Sequence, residues 1–143
     1  MLELKDLKVL VVEDNFQAMN LVKGMLSDLG INQVYTAKDG GDALQFLGNC
    51  DDLLDVVLCD WNIPKLSGLD VLRQVRTVDP DLPFVMITGA ADADSVIAAK
   101  TSGVTAYIAK PFSQDELKKK LKLKLVLRVI NSRKSYTPPT ERV

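Results

Sequence analysis

Leu54-Asp55-Val56-Val57-Leu58-Cys59-Asp60-Trp61-Asn62-Ile63-Pro64 is the stretch whose reading decides the architecture. Residues 56 to 59 are apolar without alternation. A strand of that kind has no solvent face and lies centrally, covered on both sides. It ends in Asp60, a carboxylate at the mouth of a buried strand that needs a partner to be tolerated there. Other apolar runs end in the same manner. Val9-Leu10-Val11-Val12 runs into Glu13-Asp14, Phe84-Val85-Met86-Ile87 into Thr88, and Ala106-Tyr107-Ile108-Ala109 into Lys110-Pro111.

Helical signals fill the gaps between these runs. Asn15 can cap a helix carrying Met19, Val22, Met25, Leu26 and Leu29 on one face, ended by Gly30. Ile31 to Thr36 reads as a short strand, and Asp39 with Asp42 as the next helix start. Leu54 to Asp60 is the central strand. Ser67 with Asp70 forms a capping box ahead of Leu69, Leu72, Val75 and Val78, and Asp79-Pro80-Asp81 breaks that helix. Pro83 to Thr88 is the fourth strand, and a helix starting at Asp92 or Asp94 stops before Gly103. Val104 to Ala109 is the fifth strand. Ser113 with Glu116 opens a last helix to about Ile130. Strictly alternating strands and helices predict a parallel sheet with helices on both faces and right-handed crossovers. In such sheets the ligand sits beyond the carboxyl ends of the strands. The polar residues quoted above fall at those ends.

The bulk composition removes several function classes. The chain has 143 residues, enough for one domain with a real core, and a formal net charge of −1. No global basic field attracts nucleic acid. No stretch reaches the roughly 20 apolar residues of a membrane helix, and the N-terminus lacks a signal-peptide apolar region. The chain contains no His, which argues against the common zinc sites and excludes a Ser-His-Asp triad. Cys50 and Cys59 read as reduced structural thiols, and the expected compartment is the cytoplasm.

Three carboxylates, Glu13, Asp14 and Asp60, would converge and repel unless a hard cation joined them. Mg²⁺ keeps several waters, so one or two direct carboxylates suffice. Taken alone, Glu13-Asp14 reads equally well as a loop entering a helix N-terminus, where acids are favoured. Lys110 can pair with Asp60 and with an anion bound to it, or merely snorkel at the surface. The Lys110-Pro111 bond is open to the cis form. Thr88 offers a hydroxyl donor, and Gly89-Ala90 leave room for an anion.

Taken together, Glu13-Asp14, Asp60, Thr88, Tyr107 and Lys110-Pro111 resemble the receiver domain of two-component response regulators, over about residues 5 to 130. Asp60-Trp61-Asn62-Ile63-Pro64, continuing Leu66-Ser67-Gly68-Leu69, is similar to the CheY-like, chemotaxis-type members. The resemblance implies a flavodoxin-like (βα)5 three-layer sandwich with strand order 2-1-3-4-5. It implies a switch rather than an enzyme, catalysing only its own phosphorylation and autodephosphorylation. Asp60 would be the phospho-acceptor, taking the group from a histidine kinase or phosphotransfer protein. The cofactor would be Mg²⁺ (or Mn²⁺), held by Asp14, Asp60 and the Asn62 carbonyl, with Glu13 acting through water. Lys110 and Thr88 would bind phosphoryl oxygens, helped by the Trp61 and Gly89 amides. Thr88 and Tyr107 would be the switch pair. The output would be a protein target at the fourth helix, fifth strand and fifth helix. Two enzyme families with similar folds fit poorly. A haloacid-dehalogenase phosphatase expects a second Asp where Asn62 stands, and a flavodoxin expects a Ser/Thr-rich loop where Glu13-Asp14 stand.

Residues 1–131 are expected to form the receiver with an extended last helix, and 132–143 a flexible tail. In that helix Leu117, Leu121, Leu125 and Val129 should face the sheet. Leu123, Val126, Leu127 and Ile130 occupy most of the other side, a surface for a homodimer, another partner or the tail. The lysines at 118–120, 122 and 124 read as a solvated face, so no direct nucleic-acid or membrane contact is expected. The chain reads as a stand-alone receiver. The alternatives are a module excised from a larger regulator or hybrid kinase, and a phosphorylation-independent interaction domain.

Overall fold

The computed structural model describes residues 3–49, 54–89 and 93–123. A short 3-10 turn at Leu4–Asp6 leads into β1 (Lys8–Val12), α1 (Phe16–Asp28), β2 (Gln33–Ala37), α2 (Gly40–Asn49) and β3 (Val56–Asp60). Then come α3 (Gly68–Val78), β4 (Phe84–Thr88), α4 (Ala93–Thr101) and β5 (Ala106–Ala109). A last helix, α5, is described over 114–123. The strands form one parallel sheet in the order β2-β1-β3-β4-β5, the flavodoxin-like order expected. Every residue of β3 and β4 is buried, as unalternating apolar runs require of central strands.

Alternation within each strand divides the core in two. Val9, Val11, Val56, Leu58, Val85, Ile87 and Ile108 point to the face covered by α1 and α5, where they meet Val22, Leu26, Leu117 and Leu121. Leu10, Val12, Val57, Cys59, Phe84 and Met86 point to the other face, against Ala43 of α2 and Val71, Leu72 and Val75 of α3. Right-handed crossovers require this division. Only β1→β2 steps one way along the sheet; the later connections step back, so their helices lie on the opposite face.

The caps read from sequence are present. Asn15 Oδ1 accepts from the Ala18 N–H at 2.8 Å, Asp39 Oδ1 from the Asp42 N–H at 2.7 Å, and Ser113 Oγ from the Glu116 N–H at 3.1 Å. Ser67 and Asp70 form the reciprocal capping box. The second strand starts later than expected, at Gln33. Ile31 belongs to the end of α1 instead. Gly30 turns with φ 86°, its N–H donates to Ser27 O at 2.9 Å, and the Ile31 N–H reaches back to Leu26 O at 3.0 Å. This is a Schellman closure, with Ile31 packed in the same core as Leu26. β3, β4 and β5 likewise begin one or two residues late, at Val56, Phe84 and Ala106. Cys50, Ala90 and the apolar face expected at 123–130, apart from Leu123, lie outside the described residues.

Candidate functional site

β1, β3, β4 and β5 are consecutive neighbours in the sheet, so their C-terminal ends form one rim. Asp60, at the end of β3, is 6% exposed. Lys110, just past β5, donates from Nζ to Asp60 Oδ2 at 2.6 Å and to Glu13 Oε2 at 3.4 Å. The Lys110-Pro111 peptide is cis. The Asn62 N–H donates to Asp60 Oδ1 at 3.0 Å, and the Asn15 N–H to Glu13 Oε1 at 3.0 Å. Three strand ends thus deliver two buried acids and one half-buried ammonium to a single point.

The two carboxylates titrate in opposite directions. Burial raises Glu13 to about 7, aided by its hydrogen bond to Asp60 and opposed by the Asn15 amide and Lys110. Burial would also raise Asp60, but hydrogen bonds from Glu13, Lys110 and the Asn62 amide outweigh it and hold Asp60 below the usual range. Of the two acids Glu13 takes up a proton more readily as pH falls, and Asp60 is the ionised partner of Lys110. The shorter of the two lysine contacts agrees with this assignment. Burial would lower the Lys110 ammonium, but the hydrogen bond and charge of Asp60, with Glu13, hold it above its ordinary value. Burial pushes the Cys59 thiol well up, so it is a structural residue, with Sγ 3.4 Å from Asp60 O.

Thr88 is 1% exposed at the end of β4. Tyr107 pairs in register with Met86, and Thr88 lies one step further along the same face. The two side chains are therefore diagonal neighbours over the α2–α3 side. Tyr107 packs against that core, and its phenol oxygen is buried without a hydrogen bond. Gly89 is exposed, and a Cβ there would meet nothing within 4 Å.

One sequence expectation comes out differently. The Trp61 amide, expected to help bind an anion, donates to Ile87 O at 2.8 Å and so extends the sheet ladder. The amide that reaches the acid is that of Asn62, one residue further into the loop. Asp14 is exposed, and among the described residues no group of three or more metal-capable side chains is gathered. Glu13 and Asp60 meet at Lys110, and Asp14 follows Glu13 directly in the turn ahead of α1. A feature missed in sequence is a cavity of about 320 Å³ beside Glu13 and Lys110, with Ala18, Leu21, Val22 and Phe112 in its lining. Its only sequence signal is an apolar Leu21 off the buried stripe of α1, where it is 61% exposed.

A family model for the response regulator receiver domain matches residues 9–122. The chain belongs to this family. The receiver is 40% identical over 119 residues to the chemotaxis protein CheY-3 of Vibrio cholerae, covering 82% of this chain and 90% of that one. Its structure is similar to a response regulator receiver domain protein of Clostridium thermocellum, with a TM-score of 0.79 at 31% identity, covering 87% of this chain and 98% of that one. It is also similar to the receiver domain of a sensor histidine kinase from Pseudomonas aeruginosa, with a TM-score of 0.74 at 28% identity, covering 82% and 95%. That receiver holds a magnesium ion coordinated in its active site cleft. Receivers of this family are phosphorylation-activated switches of two-component signalling, not enzymes in the ordinary sense.

Proposed function

We propose that Asp60 is the phospho-acceptor of this receiver and takes its phosphoryl group from phosphohistidine on a histidine kinase or phosphotransfer protein. The observation that carries the reading is the Asp60–Lys110 pair at 2.6 Å at the mouth of the sheet, with Asp60 held ionised. An ionised carboxylate oxygen attacks phosphorus in line, the O–P bond forms, and the P–N bond to the imidazole breaks. Such a transfer needs positioning and charge neutralisation more than covalent help. Lys110 supplies a fixed positive charge where phosphoryl oxygens arrive, Thr88 a hydroxyl donor, and the Asn62 amide holds the acceptor in place. Attack by water on the acyl phosphate at the same site returns the switch to rest.

The donor set fits a hard divalent cation, Mg²⁺ or Mn²⁺. Glu13 and Asp60 present adjacent carboxylates, and Mg²⁺ needs only one or two of these. Asp14 and the Asn62 carbonyl are the further ligands in this reading, with Glu13 acting through water. When bound, the cation adds positive charge against the phosphoryl oxygens.

Thr88 and Tyr107 form the switch pair. Their placement on one face lets a shift of the Thr88 hydroxyl toward the phosphoryl group open space behind it for the Tyr107 ring. The phosphate adds close to two negative charges, enough to bias a two-state element. The readout face is α4, β5 and α5, offered to a protein target or to a second copy through the last helix. Among the described residues no helix is long and apolar enough to cross a membrane. The cytoplasm is the compartment in this reading.

The test uses Trp61, the single tryptophan, which adjoins Asp60. Mg²⁺ and then beryllofluoride are titrated while its fluorescence is followed. Each addition should change the signal in the wild type, and the beryllofluoride response should vanish in Asp60→Ala. An undiminished response in Asp60→Ala overturns the acceptor assignment.

A further inference from the structure

The acceptor opens a loop, residues 61–67, that joins β3 to α3. The amide that reaches Asp60 Oδ1 belongs to that loop, so its aim depends on where the loop lies. The start is tied to the sheet. The Trp61 N–H donates to Ile87 O, and Trp61 O accepts from the Gly68 N–H, both at 2.8 Å. The far part is tied instead to the N-terminus of α2. The Gly40 N–H donates to Pro64 O at 3.3 Å. The backbones approach so closely that a Cβ on Gly40 would lie 2.6 Å from Leu66 Cβ and from Leu66 O. Lys65 Nζ then pairs with Asp39 Oδ2 at 3.3 Å.

Both partners are unusual for an ordinary surface pair. Asp39 is buried, and one of its oxygens is committed to capping α2, which leaves the other aimed at the loop. Lys65 has φ 69°, the left-handed region where glycine or asparagine is the inexpensive choice and a lysine is strained. A loop that needed only a turn would gain nothing from lysine there. The buried carboxylate opposite it supplies a reason.

We propose that Asp39 and Lys65 form a latch that positions the Asp60 loop, making both of them positioning residues for cation and phosphoryl binding, although neither touches the ligand. The inference rests on the reading of Asp60 as the acceptor. The Lys65 side chain is 69% exposed, so the latch is a partly screened pair, and releasing it should weaken binding about two- to fivefold.

Charge alone and packing alone predict different signs. Acting through space, Asp39→Asn removes a negative charge and weakens Mg²⁺ binding, whereas Lys65→Asn removes a positive charge and strengthens it. A latch predicts that both weaken it. Asparagine suits both positions, as an α2 cap at 39 and in the left-handed backbone at 65. Lys65→Asn should therefore keep or raise Tm while binding less well, which a purely structural role would not produce.

The experiment measures the Kd of Mg²⁺, then of beryllofluoride, by Trp61 fluorescence, and Tm in parallel. The proteins are wild type, Asp39→Asn, Lys65→Asn, the double variant, Lys65→Arg and Asp60→Ala. The expected result is a two- to fivefold rise in Kd for each Asn variant, no further rise in the double variant, and near wild-type binding for Lys65→Arg. Binding by Lys65→Asn that matches or exceeds wild type, or additive effects in the double variant, overturns the latch while leaving the acceptor reading intact. A wild type without an Asp60-dependent beryllofluoride response overturns both.

Discussion

Glu13 shows how a single buried acid sets the behaviour of its neighbours. Its value in the folded protein is about 7, against an ordinary 4.5. Between those two values the folded chain binds more protons at Glu13 than the unfolded chain does. Stability from this group is therefore present below about pH 4.5, falls as pH rises through that window, and is lost above about pH 7. Asp60 works in the opposite sense. Its value is depressed from 3.8, so its contribution is present at neutral pH and is lost only in strong acid. Glu13→Gln should remove the slope between pH 4.5 and 7 and stabilise the metal-free protein at pH 8 by about 1–2 kcal/mol. Urea unfolding at pH 5 and pH 8 reads this out, and an equal effect at both pH values would contradict the proton assignment. The same substitution should remove the pH dependence of Mg²⁺ affinity near neutrality, because the cation no longer displaces a proton.

At the scale of elements, two helical glycines separate local propensity from tertiary constraint. Gly24 lies inside α1, and a Cβ there would meet nothing within 4 Å. Gly24→Ala should raise stability by about 0.5–1 kcal/mol, since alanine loses less backbone entropy in a helix. Gly68 opens α3, and a Cβ there would lie 2.5 Å from Asp60 O and 3.0 Å from Trp61 Cα. Gly68→Ala should cost about 1–3 kcal/mol and shift Asp60 itself. Thermal melts check both signs, and the beryllofluoride titration should be altered only by Gly68→Ala. Arg76 does comparable work at the far end of α3. Its guanidinium donates to Gly103 O at 2.9 Å, Asp79 O at 3.1 Å and Thr105 Oγ1 at 3.1 Å, fastening the turn between α4 and β5. The turn between α4 and β5 is thus anchored at the end of the sheet opposite Asp60.

For the whole molecule, ligand binding and folding stability are linked. A cation that binds only the folded chain stabilises it by about 1.4 kcal/mol at ten times its Kd. Unfolding followed in Mg²⁺ and in chelator should show this difference in the wild type and a much smaller one in Asp60→Ala. An equal gain in both proteins would place the cation elsewhere. Leu117 and Leu121 are fully buried against the sheet, while Leu123 is 50% exposed on another side of the helix.

How much of this was legible in the chain follows from the range of each interaction. Apolar runs and their polar ends are local, so Val56–Asp60 announced a central strand with an acid at its mouth before any contact was known. Caps are local too, and Asn15, Asp39, Ser67 and Ser113 were all readable. Ile31 was misread as strand because a β-branched residue after glycine looks alike in a strand and in a Schellman closure; only packing against Leu26 separates them. Which acid keeps the proton, which amide reaches Asp60, and that Lys65 meets Asp39 were not readable. Each depends on segments far apart in the chain arriving within hydrogen-bond reach. The sequence by itself determined the layered architecture and the chemical types at the strand ends, because periodicity and burial act over a few residues. The tertiary structure decided the order of charges and the aim of the Asp60 loop, because electrostatics and backbone donors act through space.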